Sequence, residues 1–449
     1  MHWSDSSFFY HIYPLGFCGS RDTNRGGEPV SRLPMVADWI GNLEELGVTA
    51  LYIGPLFESL THGYDTIDYT TVDRRLGTNR DLRELVGALK GRGIRVVLDA
   101  VLNHVSREFF AFQDVIENQE ESEYWDWFSG ITREGATPMG DPFSYDTWDG
   151  HYELVKLNHR NDAVREHLFS AVTGWIEEFG IDGVRLDAAD VIPEEFLQEL
   201  RRRCRSVDKE FWLLGEMVHG DYTRLANEAT LDSVTNYECY KGLYSSHNDG
   251  NYFEIAHSLR RQFEDPGIYR NLRLYNFADN HDVDRVASSL KEKSFLYPLY
   301  LILATMPGIP SVYYGSEWGI EGVGGKESDA PLRPTRGEVE RRPERDETLF
   351  SLISRLSRLR AGSPALRLGA YKELLVEHEL LVYLRQREED QVIVAVNSSR
   401  EEVALQLPLE QEGSLWEEQL NGSGRLQVED GYLRCTVLPR WGNVLRRVG

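Results

Sequence analysis

Short apolar runs alternate with segments of helical periodicity along most of this chain, and that alternation restricts the folds open to it. The runs at 8–17, 50–57 and 94–104 are almost continuously apolar. Strands with this pattern are typical of a parallel sheet that is covered on both faces. Between them, segments 34–46 and 79–92 carry apolar residues at helical spacing. The chain is therefore predicted to adopt an α/β fold made of repeated strand–helix units.

The same alternation continues to about residue 361, with one interruption. Asn79 is expected to cap the helix at 79–92. Later helices are predicted at 162–179, 193–206 and 347–361, and later strands at 183–189, 211–217, 233–240, 274–282 and 310–317. Eight strands in this order predict a closed (β/α)8 TIM barrel. The interruption at 105–160 has no clear period, and a loop this long inside a compact domain is usually a functional insertion.

After the predicted barrel, the pattern changes to strict alternation of apolar and polar residues. It occurs at 379–386, 390–398, 402–409, 431–438 and 443–448. These segments predict an all-β C-terminal domain arranged as a sandwich. The length of 449 residues also exceeds what one core usually holds. The predicted division is a barrel at 1–104 and 161–362, an inserted domain at 105–160 and a C-terminal domain at 363–449.

The overall charge argues against a nucleic-acid partner. The chain carries a formal net charge of −24 at pH 7, which repels a polyanion but not a neutral substrate. No apolar run is long enough to span a bilayer, and the first residues lack the pattern of a secretory signal. The four cysteines, at 18, 204, 239 and 435, show no metal-ligand or disulfide-framework spacing. Free thiols and a cytoplasmic location are therefore expected.

Polar residues stand where the predicted barrel strands end. They are Asp99, Asn103 and His104 after the third strand, Arg185 and Asp187 on the fourth, Glu216 after the fifth, and Asn280, His281 and Asp282 after the seventh. In a TIM barrel these ends meet at one rim, which carries the active site. Carboxyl groups that converge in this way raise each other's pKa. Glycosidic cleavage needs such a pair, one carboxyl protonated and one ionised.

Each of these residues has a plainer interpretation when it is taken alone. A single Asp after an apolar strand is commonly a cap or a turn residue. Asp99 has the alternative of a buried carboxylate that braces the barrel rim. His104 and His281 have the alternative of satisfied core histidines. The ordered set, rather than any one member, favours a catalytic site.

Four segments in order resemble the four motifs of the α-amylase superfamily, glycoside hydrolase family 13. They are DAVLNH (99–104), DGVRLDAAD (182–190), LLGEM (213–217) and FADNHD (277–282). HGYDTIDY (62–69) and GIPSVYYGSE (308–317) resemble further segments of that family. The resemblance covers almost the whole chain, including the insertion and the β-rich C-terminal part. It is specific because the motifs occur together and in order.

The resemblance implies a retaining glycosidase that requires no cofactor for its chemistry. Asp187 would be the nucleophile, and Arg185 would keep it ionised. Glu216 would be the general acid and base, with its carboxyl about 5–5.5 Å from that of Asp187. Asp282 would hold sugar hydroxyls and favour the oxocarbenium-like ring.

The same resemblance implies a set of substrate-binding residues. Tyr64 would offer an aromatic face, and Asp99, His104 and His281 would lie around the same sugar. Asp329 and Arg333 resemble residues that hold the non-reducing side of the substrate, with a surface ion pair as the alternative. His219 is a further candidate on the acceptor side.

One segment narrows the resemblance within the family. TWDGHYELVKLN (147–158) resembles the inserted domain of neopullulanases, cyclomaltodextrinases and maltogenic amylases. It implies that Trp148 stacks on sugar and that Lys156 reaches the cleft, with a packed loop and a core tryptophan as the alternative. Asp190 and Val191 replace the Lys-His pair of many secreted endo-amylases. The group's N-terminal domain, with its mode of dimerisation, is expected to be missing, which leaves a monomer or weak homo-oligomer.

The expected substrates are therefore short maltooligosaccharides or cyclomaltodextrins, with some transglycosylation. The alternatives are a glucanotransferase or sugar isomerase on the same machinery, an α-1,6 or sucrose-type α-glucosidase, and a non-catalytic binding protein. A structural Ca²⁺ is implied at Asn103, which matches a calcium-binding position of the family. Loop 21–27 has a loose pattern of oxygen ligands, for which a simple turn is the alternative.

Overall fold

Eight short parallel strands form the centre of the structure, a computed structural model that describes residues 2–20, 23–325, 328–343, 345–422 and 424–449. In chain order they are β1 (Phe9–Ile12), β2 (Ala50–Ile53), β3 (Arg95–Ala100), β4 (Gly183–Leu186), β5 (Trp212–Gly215), β6 (Ser233–Val234), β7 (Tyr275–Asn276) and β8 (Ile309–Tyr313). Strands β1 to β6 pair in sequence, β7 pairs with β8, and β8 pairs with β1. A parallel bridge between Thr235 and Tyr275 joins β6 to β7 and closes the sheet. The predicted TIM barrel is confirmed.

Helices lie between these strands and after the last of them, and one of them, Phe110–Asn118, belongs to the inserted segment. Their bounds are Pro14–Phe17, Pro34–Ala37, Ile40–Leu46, Asn79–Gly91, Phe110–Asn118, Asp162–Phe179, Glu194–Val207, Tyr237–Asn248, Tyr252–Phe263, Val286–Ser289, Leu296–Thr305, Arg336–Arg341, Glu347–Gly362 and Pro364–Leu368. The helix Asp162–Phe179 has the predicted bounds. The side chain of Asn161 caps its N-terminus, and Gly180 ends it in the left-handed conformation. Among the described residues, no helix has the length and apolar character needed to cross a membrane.

Two local predictions are wrong, and side-chain hydrogen bonds explain both. The predicted strand 233–240 contains only β6, because the Asn236 side chain accepts a bond from the Cys239 N–H and starts a helix at Tyr237. The helix at 79–91 is capped by Thr78 rather than Asn79. The Asn79 carboxamide oxygen instead accepts a bond from the Val72 N–H, at 2.9 Å.

The segment between β3 and β4 has regular structure that its sequence did not reveal. A three-stranded antiparallel sheet consists of His104–Ser106, His151–Lys156 and Thr147–Trp148. Asp149 and Gly150 both have positive φ, 48° and 80°, between the last two strands. Such angles allow a tight hairpin, because its twist matches that of the flanking strands. The hairpin brings Trp148 and His151 opposite each other.

The C-terminal part is all-β, as predicted. Its strands are Ala370–Val376, Leu380–Arg387, Asp390–Asn397, Val403–Pro408, Leu415–Glu418, Arg425–Gln427, Tyr432–Val437 and Trp441–Arg447. A six-stranded sheet and a two-stranded sheet contribute to one shared apolar core, which includes Leu380, Ile393, Leu405, Trp416 and Leu433. The strands at 370–376, 415–418 and 425–427 were missed, since none of them shows a clear alternation.

Close packing of two barrel strands requires glycine at one position. A Cβ on Gly183 in β4 would lie 2.6 Å from the carbonyl oxygen of Trp212 in β5. By contrast, a Cβ on Gly174, in the helix Asp162–Phe179, would meet no atom within 4 Å. β4 also carries Arg185 and leads into Asp187. The close contact at Gly183 therefore helps to position these two residues at the rim of the barrel.

We predict opposite effects of the same substitution at these two glycines. Gly183→Ala should lower the free energy of unfolding by about 2 kcal/mol, because overpacking forces β4 and β5 apart. Gly174→Ala should raise it by about 0.5–1 kcal/mol, because alanine is the better helix former. Thermal unfolding midpoints check both. Equal midpoints for the two variants would contradict the packing described here.

Candidate active site

A cavity of about 860 Å³ opens at the carboxyl ends of the barrel strands. The predicted residues that line it are Tyr64, His104, Trp148, Asp187, Glu216, Asp282, Asp329 and Arg333. Asp99, Arg185 and His281 lie just behind this wall and contact residues that form it. The barrel therefore brings three carboxylates from different strand ends to one cleft.

A buried guanidinium links the carboxylates on the floor of the cleft. Arg185 Nη1 lies 3.0 Å from Asp99 Oδ1 and 2.9 Å from Asp187 Oδ1. Its Nη2 lies 2.8 Å from Glu216 Oε1. Arg185 and Asp187 share a face because they are two residues apart on one strand. Asp99 is the register partner of Arg185 on β3.

Burial raises the pKa of the Asp187 carboxyl, and the nearby Glu216, Asp99 and Asp282 carboxylates raise it further. Arg185 opposes this rise but does not cancel it. Arg185 thus favours an ionised Asp187, as expected, but the net shift of the Asp187 pKa is upward. Asp187 and Glu216 contact the two terminal nitrogens of the same buried guanidinium. The two candidate reacting carboxyl groups are thus held by one cation.

The Glu216 carboxylate is also held by the backbone that follows β4. The Ala188 N–H donates to Glu216 Oε2 at 3.0 Å. Ala188 has φ 46° and ψ 41°, a left-handed conformation that non-glycine residues seldom adopt. The backbone of the turn after Asp187 is therefore strained at Ala188. This conformation points the Ala188 N–H at the Glu216 carboxyl group.

Asp282 lies on the opposite side of the cleft and has a different environment. Its side chain is 40% exposed, and its oxygens lie 2.9 Å from His281 Nε2 and 3.2 Å from Arg333 Nη2. Burial acts to raise its pKa, but His281, Arg333 and Arg185 outweigh burial and hold the pKa well below the usual range. Arg333 also pairs with Asp329 at 3.1 Å. Asp282 is therefore an anion at any pH near neutrality.

An aromatic stack lies against the same side of the cleft. The rings of Tyr64 and His281 are parallel within 5°, with centroids 5.3 Å apart, and Tyr13 stacks on the other face of His281 at 5.6 Å. The Tyr64 hydroxyl donates to Asp99 Oδ2 at 2.8 Å. These contacts fix the Tyr64 ring beside the carboxylates, so it can offer a flat apolar surface to a sugar.

Trp148 connects the inserted hairpin with the cleft. Its ring stacks on His104, with centroids 5.9 Å apart and an angle of 13° between the planes. The His104 Nε2 lies 3.0 Å from the carbonyl oxygen of Tyr64. Burial lowers the pKa of His104 to about 4, so this imidazole is neutral and acts through hydrogen bonds rather than charge.

The structure separates some predicted residues from the cleft. Lys156 lies beside His104 in the inserted sheet, half-buried, and does not line the cavity. Its neighbour Leu154 does line it. His219 is exposed and also outside the lining. The sequence segments did not reveal that either residue lies outside the lining.

The calcium site at Asn103 stays a prediction. Asn103 is fully buried, and its Oδ1 has no hydrogen-bond partner. However, the described part of the chain holds no group of three or more His, Cys, Asp or Glu side chains suited to a metal. In loop 21–27, Arg21 and Asp22 lie outside the described residues. The acidic set typical of a calcium site is thus not seen beside Asn103.

Several lining residues were missed by the sequence analysis. They are His62, His151, Glu153, Leu154, Ala188, Asp190, Val218, Tyr237, Val283, Gly325 and Ser328. Tyr237 was hidden by the wrong strand prediction at 233–240. His62 lies inside the segment HGYDTIDY, two residues before Tyr64. Its place in that segment could have identified it as a residue of the cleft. His151 and Glu153 reach the cleft because of the position of the inserted hairpin. No pattern in the sequence indicated that position.

Two family models match the chain. Residues 11–349 match the alpha amylase catalytic domain, and residues 371–440 match the maltogenic amylase C-terminal domain. A cyclomaltodextrinase from a Bacillus species is 32% identical over 423 residues, which are 89% of this chain and 74% of that protein. Neopullulanase 2 from Thermoactinomyces vulgaris is 30% identical over 99% of this chain and 78% of its own length.

A solved structure extends this likeness to the whole chain. The cyclic α-maltosyl-(1→6)-maltose hydrolase from Arthrobacter globiformis, in its ligand-free form, superposes with a TM-score of 0.82. The match covers 100% of both chains at 26% sequence identity.

The raised pKa of Asp187 predicts a stability effect of Asp187→Asn. The folded-state pKa exceeds the unfolded one, so the wild type loses stability as the pH rises between these two values. The asparagine side chain stays neutral throughout. We therefore expect the variant to have the higher thermal midpoint at pH 7, with the difference shrinking towards acid pH. A lower midpoint than wild type at pH 7 would contradict this.

Proposed function

This chain belongs to the α-amylase family of glycoside hydrolases, and from that premise we propose that it cleaves α-1,4-glucosidic bonds with retention of configuration. Its substrates would be short maltooligosaccharides and cyclomaltodextrins. The observation that carries the proposal is the pairing of Asp187 and Glu216 with the two terminal nitrogens of Arg185, at 2.9 and 2.8 Å. Two carboxyl groups that are held by one buried cation at the same cleft are the pair that double displacement requires.

In the first step, an oxygen of Asp187 attacks the anomeric carbon of the bound sugar. The bond from that carbon to the glycosidic oxygen breaks, and Glu216 gives its proton to the departing oxygen. The product is a covalent glycosyl ester of Asp187. Arg185 stabilises the carboxylates before and after this step without itself changing charge.

In the second step, Glu216 takes a proton from water, and the water oxygen attacks the same anomeric carbon. Asp187 leaves as a carboxylate, and the sugar is released with the original α configuration. A sugar hydroxyl in place of water gives transglycosylation by the same proton transfers. The hydrogen bond from Ala188 N–H keeps Glu216 beside the ester in both steps.

Asp282 and the aromatic stack would bind the sugar at the reacting centre. An ionised Asp282 accepts hydrogen bonds from hydroxyl groups and stabilises positive charge that develops on the ring. Tyr64 provides the stacking face, and His281 and the neutral His104 provide hydrogen bonds. Because these groups are fixed by buried contacts, they need little rearrangement on binding.

The inserted hairpin supports a preference for short or cyclic chains. Trp148, His151 and Glu153 line the cleft. A long helical glucan would collide with these side chains, whereas a short chain would not. Asp190, with no basic side chain at its position, lies on the same cavity surface. The named relatives include a cyclomaltodextrinase and a neopullulanase, in agreement with this substrate class.

The proposal extends to cofactor and location. All the proton transfers and the covalent step are assigned to side chains, so the chemistry needs no cofactor. A cytoplasmic location agrees with the four cysteines, which are free thiols.

Substitution of the two carboxyl residues tests the mechanism. Asp187→Asn and Glu216→Gln should each lower kcat on maltotriose by at least about 1,000-fold, as expected for groups that form bonds in the transition state. Asp282→Asn serves as a comparison that should weaken sugar binding and lower kcat less than these two, because Asp282 forms no bond to the sugar carbon. Proton NMR of the first products of the wild type should show the α anomer. Initial release of the β anomer, or near wild-type turnover by Asp187→Asn, would contradict the assignment.

Product analysis with maltotriose to maltoheptaose, β-cyclodextrin, pullulan and starch tests the substrate class. We expect fast cleavage of the short and cyclic substrates and slow cleavage of starch. Longer or rearranged glycosides with little free reducing sugar would instead indicate a glucanotransferase. Cleavage restricted to sucrose or α-1,6-linked sugars would indicate the corresponding α-glucosidase.

The role of Trp148 gives a separate prediction. Trp148→Ala should raise KM for maltotriose about tenfold with a smaller change in kcat, because stacking contributes mainly to binding. Trp148→Phe keeps an aromatic face and should recover most of the affinity. Equal KM values for the two variants would show that Trp148 only packs against His104.

A further inference from the structure

A second, much smaller cavity lies inside the barrel, beneath the floor of the cleft. Its volume is about 20 Å³, close to the room that one water molecule needs. Among its lining residues are His11 from β1, Asp279 and His281 from the segment after β7, and Arg185. It is thus enclosed by the same residues that position the candidate active site.

Three buried polar atoms around this cavity have no hydrogen-bond partner. They are His11 Nε2, Asp279 Oδ1 and His281 Nδ1. Other polar side chains of the lining are satisfied within the protein: Tyr52 by Asp99, Tyr275 by Ser311, Thr235 by the Met217 backbone, and Asn280 by Tyr237. A buried polar atom without a partner costs about 1–3 kcal/mol. Three such atoms on one small cavity indicate a shared partner.

The three side chains cannot easily turn to find other partners. The His11 ring stacks on Tyr52 at 4.1 Å and packs against Tyr313 at 4.8 Å. The other carboxylate oxygen of Asp279 already accepts from the Val286 N–H at 2.9 Å and the Ser316 hydroxyl at 2.7 Å. His281 is held between Tyr13 and Tyr64. The unpartnered atoms are therefore fixed in place.

The hydrogen bonds that His281 makes on the cleft side determine which ring nitrogen carries the proton. The Tyr64 hydroxyl donates its proton to Asp99, so its oxygen must accept from His281 Nε2. Asp282 Oδ2, 2.9 Å from the same nitrogen, is also an acceptor. Nε2 therefore carries the proton. With Nε2 bonded on the cleft side, Nδ1 needs a hydrogen-bond partner from inside the barrel.

We propose that this cavity binds one water molecule, which donates to His281 Nδ1 and Asp279 and accepts from His11. In this arrangement, His11 and Asp279 are positioning residues. They act through the water to keep the proton of His281 on Nε2, where it faces Asp282 and the sugar. The role in turnover rests on the function proposed above, but the water site itself does not.

The surrounding charges favour a neutral ligand over an ion. The Asp279 oxygen on the cavity would repel an anion. Burial raises the pKa of Asp279, and the charge on the nearby Arg285 opposes this rise. Because Arg185 lines the same cavity and Arg285 lies close to Asp279, a cation would also be repelled. Burial lowers the pKa of His11 well below the usual range, which keeps this ring neutral. Water, which both donates and accepts, satisfies all three atoms.

The direct test is a crystal structure of the ligand-free wild type at a resolution that shows ordered water. We expect one oxygen within hydrogen-bond distance of His11 Nε2, Asp279 Oδ1 and His281 Nδ1, and no anomalous peak there after a bromide soak. A dry cavity, or side chains that bond directly to each other, would overturn the proposal. A bromide peak would overturn it as well, because it would assign the site to an anion.

Two variants of His11 test the positioning role. His11→Phe keeps the ring that packs against Tyr52 and removes the polar atoms, and it should lower kcat/KM on maltotriose about tenfold, as for a lost hydrogen bond to a group in the site. His11→Gln restores a polar group and should recover activity to within about threefold of wild type.

The control makes the same substitution at another buried histidine. His247 bonds to the Leu243 carbonyl and the Tyr252 hydroxyl, away from the cleft. His247→Phe should lower the thermal midpoint but leave kcat/KM unchanged. Unchanged kcat/KM in His11→Phe, or a loss in His11→Gln as large as that in His11→Phe, would overturn the positioning role. If the wild type cleaves no α-glucan, the proposed function fails, while the crystal structure still decides the water site.

Discussion

The charge on Arg185 is the constraint around which the upper part of the barrel is organised. One buried guanidinium contacts Asp99, Asp187 and Glu216, which come from β3, β4 and the end of β5. A set of carboxylates at this depth would be unstable without the cation, and the cation would be unstable without them. The pairing register of β3, β4 and β5 must therefore keep the three carboxyl groups within reach of the guanidinium. The close contact at Gly183 serves the same end, because it lets β4 approach β5 just before Arg185.

Different environments give the carboxyl groups different roles. Asp187 is buried among other acids, and its pKa is raised, whereas Asp282 lies among His281, Arg333 and Arg185, and its pKa is lowered. Separate pKa values for neighbouring carboxyls are what acid–base chemistry on a neutral substrate requires. His281, which pairs with Asp282, is stacked between Tyr13 and Tyr64, and the Tyr64 hydroxyl bonds to Asp99. The same buried contacts therefore determine both the packing of this site and the pKa values of Asp187 and Asp282.

The sequence predicted the barrel and most of the candidate site because both depend on local order along the chain. Strands β1 to β5 are buried on both faces and show continuous apolar runs, and the polar residues follow them directly. Strands β6 and β7 have two residues each, too few for a pattern, so the helix at Tyr237 was mistaken for a strand. His151 and Glu153 illustrate a second limit, since the position of the inserted hairpin at the cleft depends on its turn at Asp149 and Gly150. The cavity beneath His281 depends on three distant segments, and no local pattern indicates it.

The way in which the sheet closes has a mechanical consequence. Within the described residues, β6 and β7 meet through one bridge, between Thr235 and Tyr275, whereas β1 and β2 share a four-residue register. The barrel therefore has a seam, and the seam runs between the strand end that carries Glu216 and the one that carries Asp282. Elastic deformation of the sheet concentrates where the fewest backbone bonds resist it. Fewer backbone bonds therefore constrain the width of the cleft on this side than on the side of β1 and β2.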